Sequence, residues 1–237
     1  HRKPLGFDIR DKCWLLGWMD GEAYRVRWLL LLGVQFGTAL HDDAIAIAVD
    51  SGGDVVLTGS TKGDLHGSNA GDKDSWISKR SGSDGSFIWG VQIGTIAEDY
   101  AVGVAVDYSG DVYTAGYTLG SLYATLRSAG NRDFWVTKRN GSDGAFLWGV
   151  QYGSLNPDAL TGIAVDSSGS VYTVGTTTGS LYVTTAAGDD DIWLNKLSGA
   201  DGLLLWGVQE GNSLSNYVSS VAVDSNNDVY TNRIHLW

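Results

Sequence analysis

Little in this chain can cross-link it, stiffen it or anchor it in a bilayer. Cys13 is its one cysteine, so no internal disulfide can form and the redox compartment stays open. Two prolines, a low charged fraction and 11% aromatic residues exclude low-complexity disorder, which has the opposite balance. The longest apolar run, Trp28 to Val34, is about a third of the roughly 20 residues a membrane helix needs, so no membrane insertion is expected. From Met19 a short leader can be imagined, with Arg25 and Arg27 ahead of the leucines. That run passes straight into Gly33-Val34-Gln35, which belongs to the repeat described below, so a strand is the better reading. Because the chain starts at His1 rather than Met, a processed or fragmentary product is expected.

Positive charge is scarce too. Sixteen Lys and Arg against 27 Asp and Glu give a net charge of −11, which argues against nucleic acid or anionic lipid as partner. The acidic surface is read first as a solubility device. Histidines are few (His1, His41, His66 and His235); none recurs or has metal-ligand spacing, and each reads as a polar surface residue. There is no G-x-S-x-G elbow and no P-loop. Cys13 lies among Leu and Trp, the setting of an inert buried thiol rather than a nucleophile.

What is abundant is glycine, 33 residues of it, with Val, Ile, Thr, Tyr and Trp, the residues that suit pleated, half-buried strands. They recur in order. Gly-Val-Gln stands at 33–35, 90–92, 149–151 and 207–209, in steps of 57, 59 and 58 residues. Ala-Val-Asp follows at 48–50, 105–107, 164–166 and 222–224. Trp76, Trp135 and Trp193 each have a Lys three positions on (Lys79, Lys138, Lys196), and Trp89, Trp148 and Trp206 open the next element. A period this long and regular marks a solenoid, propeller or array. Within one unit the spacing predicts four strands: A at about Ala101–Asp107, B at Asp111–Tyr117, C at Asp133–Arg139 and D at Ala145–Tyr152. Asp-Gly at 84–85, 143–144 and 201–202 supplies the positive φ of the C–D turns.

Strand A is the most informative. One alternate set is mostly small (Ala101, Gly103, Ala105; Leu160, Gly162, Ala164), the other mostly β-branched (Val102, Val104, Val106; Thr161, Ile163, Val165). Neither is charged, whereas a sheet open on one side alternates apolar with polar. This strand is therefore expected to be covered on both faces, bulky residues of one sheet lying on the small face of the next, as where propeller blades converge.

The string D-x-A-x-G-V-A-V-D-x-S-G-D-V-Y-T-A-G, then G-x-x-D-x-W-V-x-K and D-G-x-x-x-W, resembles the SBBP repeat family of β-propellers. It is strongest at Asp99–Gly116 and Asp158–Gly175, and the pattern covers roughly Gly33–Thr231. The resemblance implies an all-β propeller module of four-stranded antiparallel blades of about 58 residues, of a kind common in secreted or surface proteins, with no catalytic residues to carry over. The units fall at about 33–89, 90–148 and 149–206 of a single domain, 1–237. A partial blade is expected from 11–35 plus 207–231, because Asp11–Leu15 echoes strand C, the Trp28–Gln35 run a strand D, and Val218–Thr231 gives A and B before the pattern fails at Asn232. The two ends either close a small ring of four blades or are the cut faces of an arc from a larger one. Open blade edges would favour self-association.

Candidate chemistry is sparse. The A–B turns (Asp50–Asp54, Asp107–Asp111, Asp166–Ser170, Asp224–Asp228) place two acids four apart in three copies, which suggests calcium, but the spacing is not that of an EF-hand. Backbone capping by the aspartates is the preferred reading. In the B–C loops only Asp189, Asp190 and Asp191 form a real cluster, the candidate for a divalent cation. Six of the ten Trp occupy repeat positions, which reads as packing rather than as a stacking platform for ligands. Each Lys after a strand-C Trp is expected to end in solvent or to pair with a neighbouring Asp. The expected function is a non-catalytic structural or interaction scaffold at the cell surface or outside the cell, presenting acidic loops to a protein or glycan. The competing expectations are a hydrolase or lyase working at the channel mouth, supported by fold analogy alone, and a fragment without a selected function.

Overall fold

The structure, a computed structural model, describes residues 14–19, 22–27, 33–123, 132–183 and 189–235, with 14–19, 22–27 and 233–235 as backbone only. His1, Cys13 and Trp28–Leu32 lie outside the described residues, as does the Asp11–Cys13 part of the strand-C echo. Two units can be distinguished, 1–35 and 36–237. In the first, β1 (Trp14–Met19) and β2 (Glu22–Arg27) pair antiparallel, Trp14 opposite Arg27. The strand that follows Asp20-Gly21 is thus Glu22–Arg27, and Gly33–Gln35 at the end of the expected strand D are not in a strand.

The second unit repeats one antiparallel meander. Its first sheet holds β3 (Asp42–Val49), β4 (Val55–Thr61), β5 (Asp74–Arg80) and β6 (Phe87–Ile93) in sequence order. The next holds β7 (Asp99–Val106), β8 (Val112–Thr118), β9 (Asp133–Arg139) and β10 (Phe146–Tyr152). The third holds β11 (Asp158–Val165), β12 (Val171–Thr177), β13 (Asp191–Leu197) and β14 (Leu204–Glu210). A two-stranded sheet of β15 (Asn216–Val223) and β16 (Val229–His235) follows. Each full sheet therefore ends on the strand carrying Gly-Val-Gln, and Gly207–Glu210 belong to β14 of the third sheet. Among the described residues there is no helix, and none long and apolar enough to cross a membrane.

The turns stop the strands where the sequence places special backbone. The A–B turns use Gly53, Gly110, Gly169 and Asn227 at φ between 66° and 87°, and the C–D turns Gly85, Gly144 and Gly202 at 70–75°. Strand A carries a register shift in every copy, at Ala44/Ala46, Ala101/Gly103, Leu160/Gly162 and Val218/Val221. Opposite it a side chain has no room: a Cβ on Gly116 would lie 1.8 Å from the Tyr100 carbonyl oxygen and 2.8 Å from Trp135. Arg233 holds that place in β16, where the pattern was expected to fail, yet the strand runs on to His235. The shift there spans one residue more, and Asn232 Oδ1 accepts from the Ser219 and Ser220 amides at 3.2 and 2.9 Å, filling the widened bulge.

Successive sheets meet through strand A, with the two faces as the alternation predicts. Val104 and Val106 pack on Val56, Ile77 and Trp89 of the sheet before. On the other face a Cβ at Gly103 would come within 2.7 Å of Ile163 of the sheet after, so the small residue is what lets the sheets close up. One prediction needs correcting in the first sheet, where strand A is not covered on both faces: Ile45, Ile47 and Val49 are 55%, 64% and 61% exposed.

Candidate functional site

The A–B turns are caps. Asp50 Oδ1 accepts from the amides of Gly52 and Asp54, both at 2.9 Å; Asp166 does the same for Ser168 and Ser170, and Asp224 for Asn226 and Asp228. The cation these acids hold is the chain's own lysine. Lys79 Nζ lies 2.7 Å from Asp50 and 3.8 Å from Asp54; Lys138 lies 3.4 Å from Asp107 and 3.1 Å from Asp111; Lys196 lies 3.1 Å from Asp166, its copy having Ser170 in place of the second acid. These lysines are not surface groups, since the Lys79 side chain is 8% exposed. Buried charge on this scale is tolerated only when paired.

Two of these lysines also reach the following blade. Lys79 and the Trp89 indole both donate to the Gly141 carbonyl, at 2.9 and 3.0 Å, and Lys138 and Trp148 to that of Gly199, at 3.4 and 3.1 Å. Five of the six repeated Trp are buried; Trp206, in the third sheet, is 40% exposed. Burial alone would push Asp50 and Asp166 up, but Lys79 and the turn amides hold Asp50 below its ordinary value, and the Ser168 hydroxyl, the Ser170 amide and Lys196 hold Asp166 at about 2. Burial pushes the Tyr113 phenol, 3.0 Å from Asp107 Oδ2, up to about 12.

At the opposite strand ends the Gln of each Gly-Val-Gln ties a loop, a role that sequence reasoning missed. Gln92 Oε1 accepts from the Leu65 and His66 amides, and its Nε2 donates to the Gly63 carbonyl and Asp74; Gln151 and Gln209 repeat this with Asp133 and Asp191. His66 is part of this pattern rather than a lone surface histidine. It stacks on Phe87 at 5.5 Å as Tyr123 stacks on Phe146 at 6.1 Å, and burial lowers its pKa. The acidic run 189–191 is dispersed by the same design. Asp191 is buried with Gln209, Asp190 gives its backbone carbonyl to Asn216 at 2.9 Å, and Asp189 is exposed. Among the described residues no three His, Cys, Asp or Glu side chains converge as a metal cage.

Where the copies differ, a cleft opens. About 520 Å³ in volume, it lies at the A–B turn end between the second and third sheets. Its lining is hydroxyl-rich: Tyr108, Ser109, Ser167, Ser168 and Ser170, with Leu205, Ala200 and the Asp107–Lys138–Tyr113 group. Tyr108 stands 92% exposed where the other A–B turns have Ser51, Ser167 and Ser225. A second cleft of about 490 Å³ at the other end is lined by Gly153–Asn156 and Gly179–Leu181, without an ionisable side chain.

None of the curated proteins matches the chain. Among solved structures, BamB from Moraxella catarrhalis is similar at 12% identity over 91% of this chain and 87% of that one, with a TM-score of 0.22. The SBBP family, described as a beta-propeller repeat, matches residues 88–124 and 147–182. With its four-stranded antiparallel sheets repeating in step with the sequence, this chain is an all-β repeat protein whose residues 88–124 and 147–182 match the SBBP β-propeller repeat.

Proposed function

We propose that the chain is a non-catalytic structural and interaction scaffold, working at the cell surface or outside the cell and presenting its turn loops to a protein or glycan. One observation carries this reading: the polar groups that recur are spent on holding blades together. Lys79, Lys138 and Lys196 pair with the turn aspartates, and Gln92, Gln151 and Gln209 tie the loops. A general acid or base needs a group free to exchange a proton with substrate, and these are engaged at both ends. The variable, solvent-facing positions are left for recognition. The uncovered Ile45, Ile47 and Val49 face supports association with a second copy. The placement outside the cell rests on the resemblance to secreted repeat proteins. The purified chain is expected to give no turnover above background on a broad panel of ester, glycoside and peptide substrates. Turnover that survives repurification and disappears on Asp107→Asn would overturn the scaffold reading.

A further inference from the structure

We infer that the cleft between the second and third blades is a binding site for an uncharged saccharide, with Tyr108 as its stacking face. The inference rests on the scaffold reading and names the ligand of one of its loops. Its first support is the cleft's size, about 520 Å³, within the range of about 300–1,000 Å³ typical of small-molecule sites.

The second support is the chemistry of the walls. Ser109, Ser167, Ser168 and Ser170 line it with hydroxyls. Ser167 Oγ already donates to Asn227 and Ser168 Oγ to Asp166, and Ser170 Oγ lies 3.1 Å from that of Ser168, so these present acceptor lone pairs to the hydroxyls of a polyol, while Ser109 can both donate and accept. Charge is present but engaged within the protein, one ammonium between two carboxylates. Lys138 sits 3.1 Å from Asp111 and 3.4 Å from Asp107, so neither its ammonium nor the Asp107 carboxylate is left to select an ion. A phosphate or carboxylate ligand would need an unpaired cation here, and a metal would need oxygens that the turn amides and the lysine already occupy. An apolar peptide side chain would meet little beyond Leu205 and Ala200.

The third support is Tyr108 itself. The sibling turns place a serine at this position, and the ring, 92% exposed, contributes almost nothing to packing. It stands at the rim of a hydroxyl-lined cleft, with its apolar face available to the C–H face of a sugar ring and its phenol free to hydrogen-bond, a combination that suits aromatic residues to wet interfaces.

The test is an array of neutral oligosaccharides probed with the full 237-residue chain, followed by calorimetry on the retained glycan. Wild type is expected to hold at least one neutral glycan, with an affinity unchanged between low salt and about 1 M salt, since no charge pair is there to be screened. Tyr108→Ser, which copies the sibling turns, and Ala200→Trp, which fills the cleft, should each weaken binding at least tenfold without moving the melting temperature. Retention of no neutral glycan, or equal binding by both variants, overturns the site, as does binding abolished by salt. Release of cleaved sugar from a glycan bound in this cleft would leave the site standing and overturn the non-catalytic reading instead.

Discussion

Two lysine–aspartate pairs show how much the setting of a charge decides. Lys62 and Asp72 meet in solvent, their side chains 42% and 50% exposed. Lys138 meets Asp107 and Asp111 behind the turn, 14% exposed, and also touches the next blade through the Gly199 carbonyl. Removing one partner of a buried pair strands the other without water, at a cost of about 3–5 kcal/mol, whereas exposed pairs are worth about 0–1 kcal/mol. Lys138→Met is therefore expected to lower stability by about 3 kcal/mol in urea unfolding, and Lys62→Met by no more than about 0.5 kcal/mol. Equal losses would mean that the turn lysines are ordinary surface charges. The sequence showed that a lysine recurs beside an aspartate turn; that the pair is buried and bridges blades depends on Gly141 and Gly199, about 60 residues further on, which no local pattern reveals.

At the scale of the blade, strand A begins on an acid in the first three copies, half-buried Asp42 and buried Asp99 and Asp158, and on Asn216 in the fourth. The amides of Asp99 and Asp158 donate across the junction to Lys73 and Arg132 carbonyls, both at 2.8 Å, so the acids are fixed where sheets join. Burial pushes Asp158 above its ordinary value, and the Asp133 charge adds to this, against hydrogen bonds from Thr177 and Ser154. A carboxyl raised in the folded state contributes stability that is full below its unfolded value of 3.8 and is lost as pH rises through the folded value. Asp166, held at about 2, does the reverse, keeping its contribution above 3.8 and losing it as pH falls. Asp158→Asn is thus expected to improve in stability relative to wild type on going from pH 4 to pH 8, read as the difference in urea midpoints. Parallel pH profiles would show that the junction carboxyl does not titrate with folding. The four strands of the second sheet were legible from period and turn glycines, to within two residues at each end, whereas the strand D expected over Trp28–Gln35 was not found at Gly33–Gln35. The junctions were not, because Gln92 tying the loop that holds His66, or an acid facing an acid, pairs residues separated by a whole loop.

For the molecule as a whole, the two faces of the blade array are chemically unequal. The fourth hairpin carries Asn232 and Ser220 where the second and third sheets have Ala115 or Val174 and Gly103 or Gly162, and these polar residues hydrogen-bond each other in the open. The first sheet presents Ile45, Ile47 and Val49, whose counterparts Val102, Val104 and Val106 are packed against a neighbouring blade. A patch of this kind loses free energy by staying in water, at about 25 cal/mol per Å² of apolar area, while a net charge of −11 on each copy opposes association. Weak, reversible self-association that strengthens with salt follows from these opposed terms, because screening removes the repulsion and leaves the apolar contact. Sedimentation of the full chain should show an average mass that rises with concentration, more steeply at about 0.5 M salt than in low salt. Ile47→Lys, at an exposed position, should fold with the same melting temperature and sediment as a monomer throughout. A wild-type chain that stays monomeric at every concentration and salt would show that the β3 face is covered within the molecule or tolerated in water, and would remove a second copy from the list of partners.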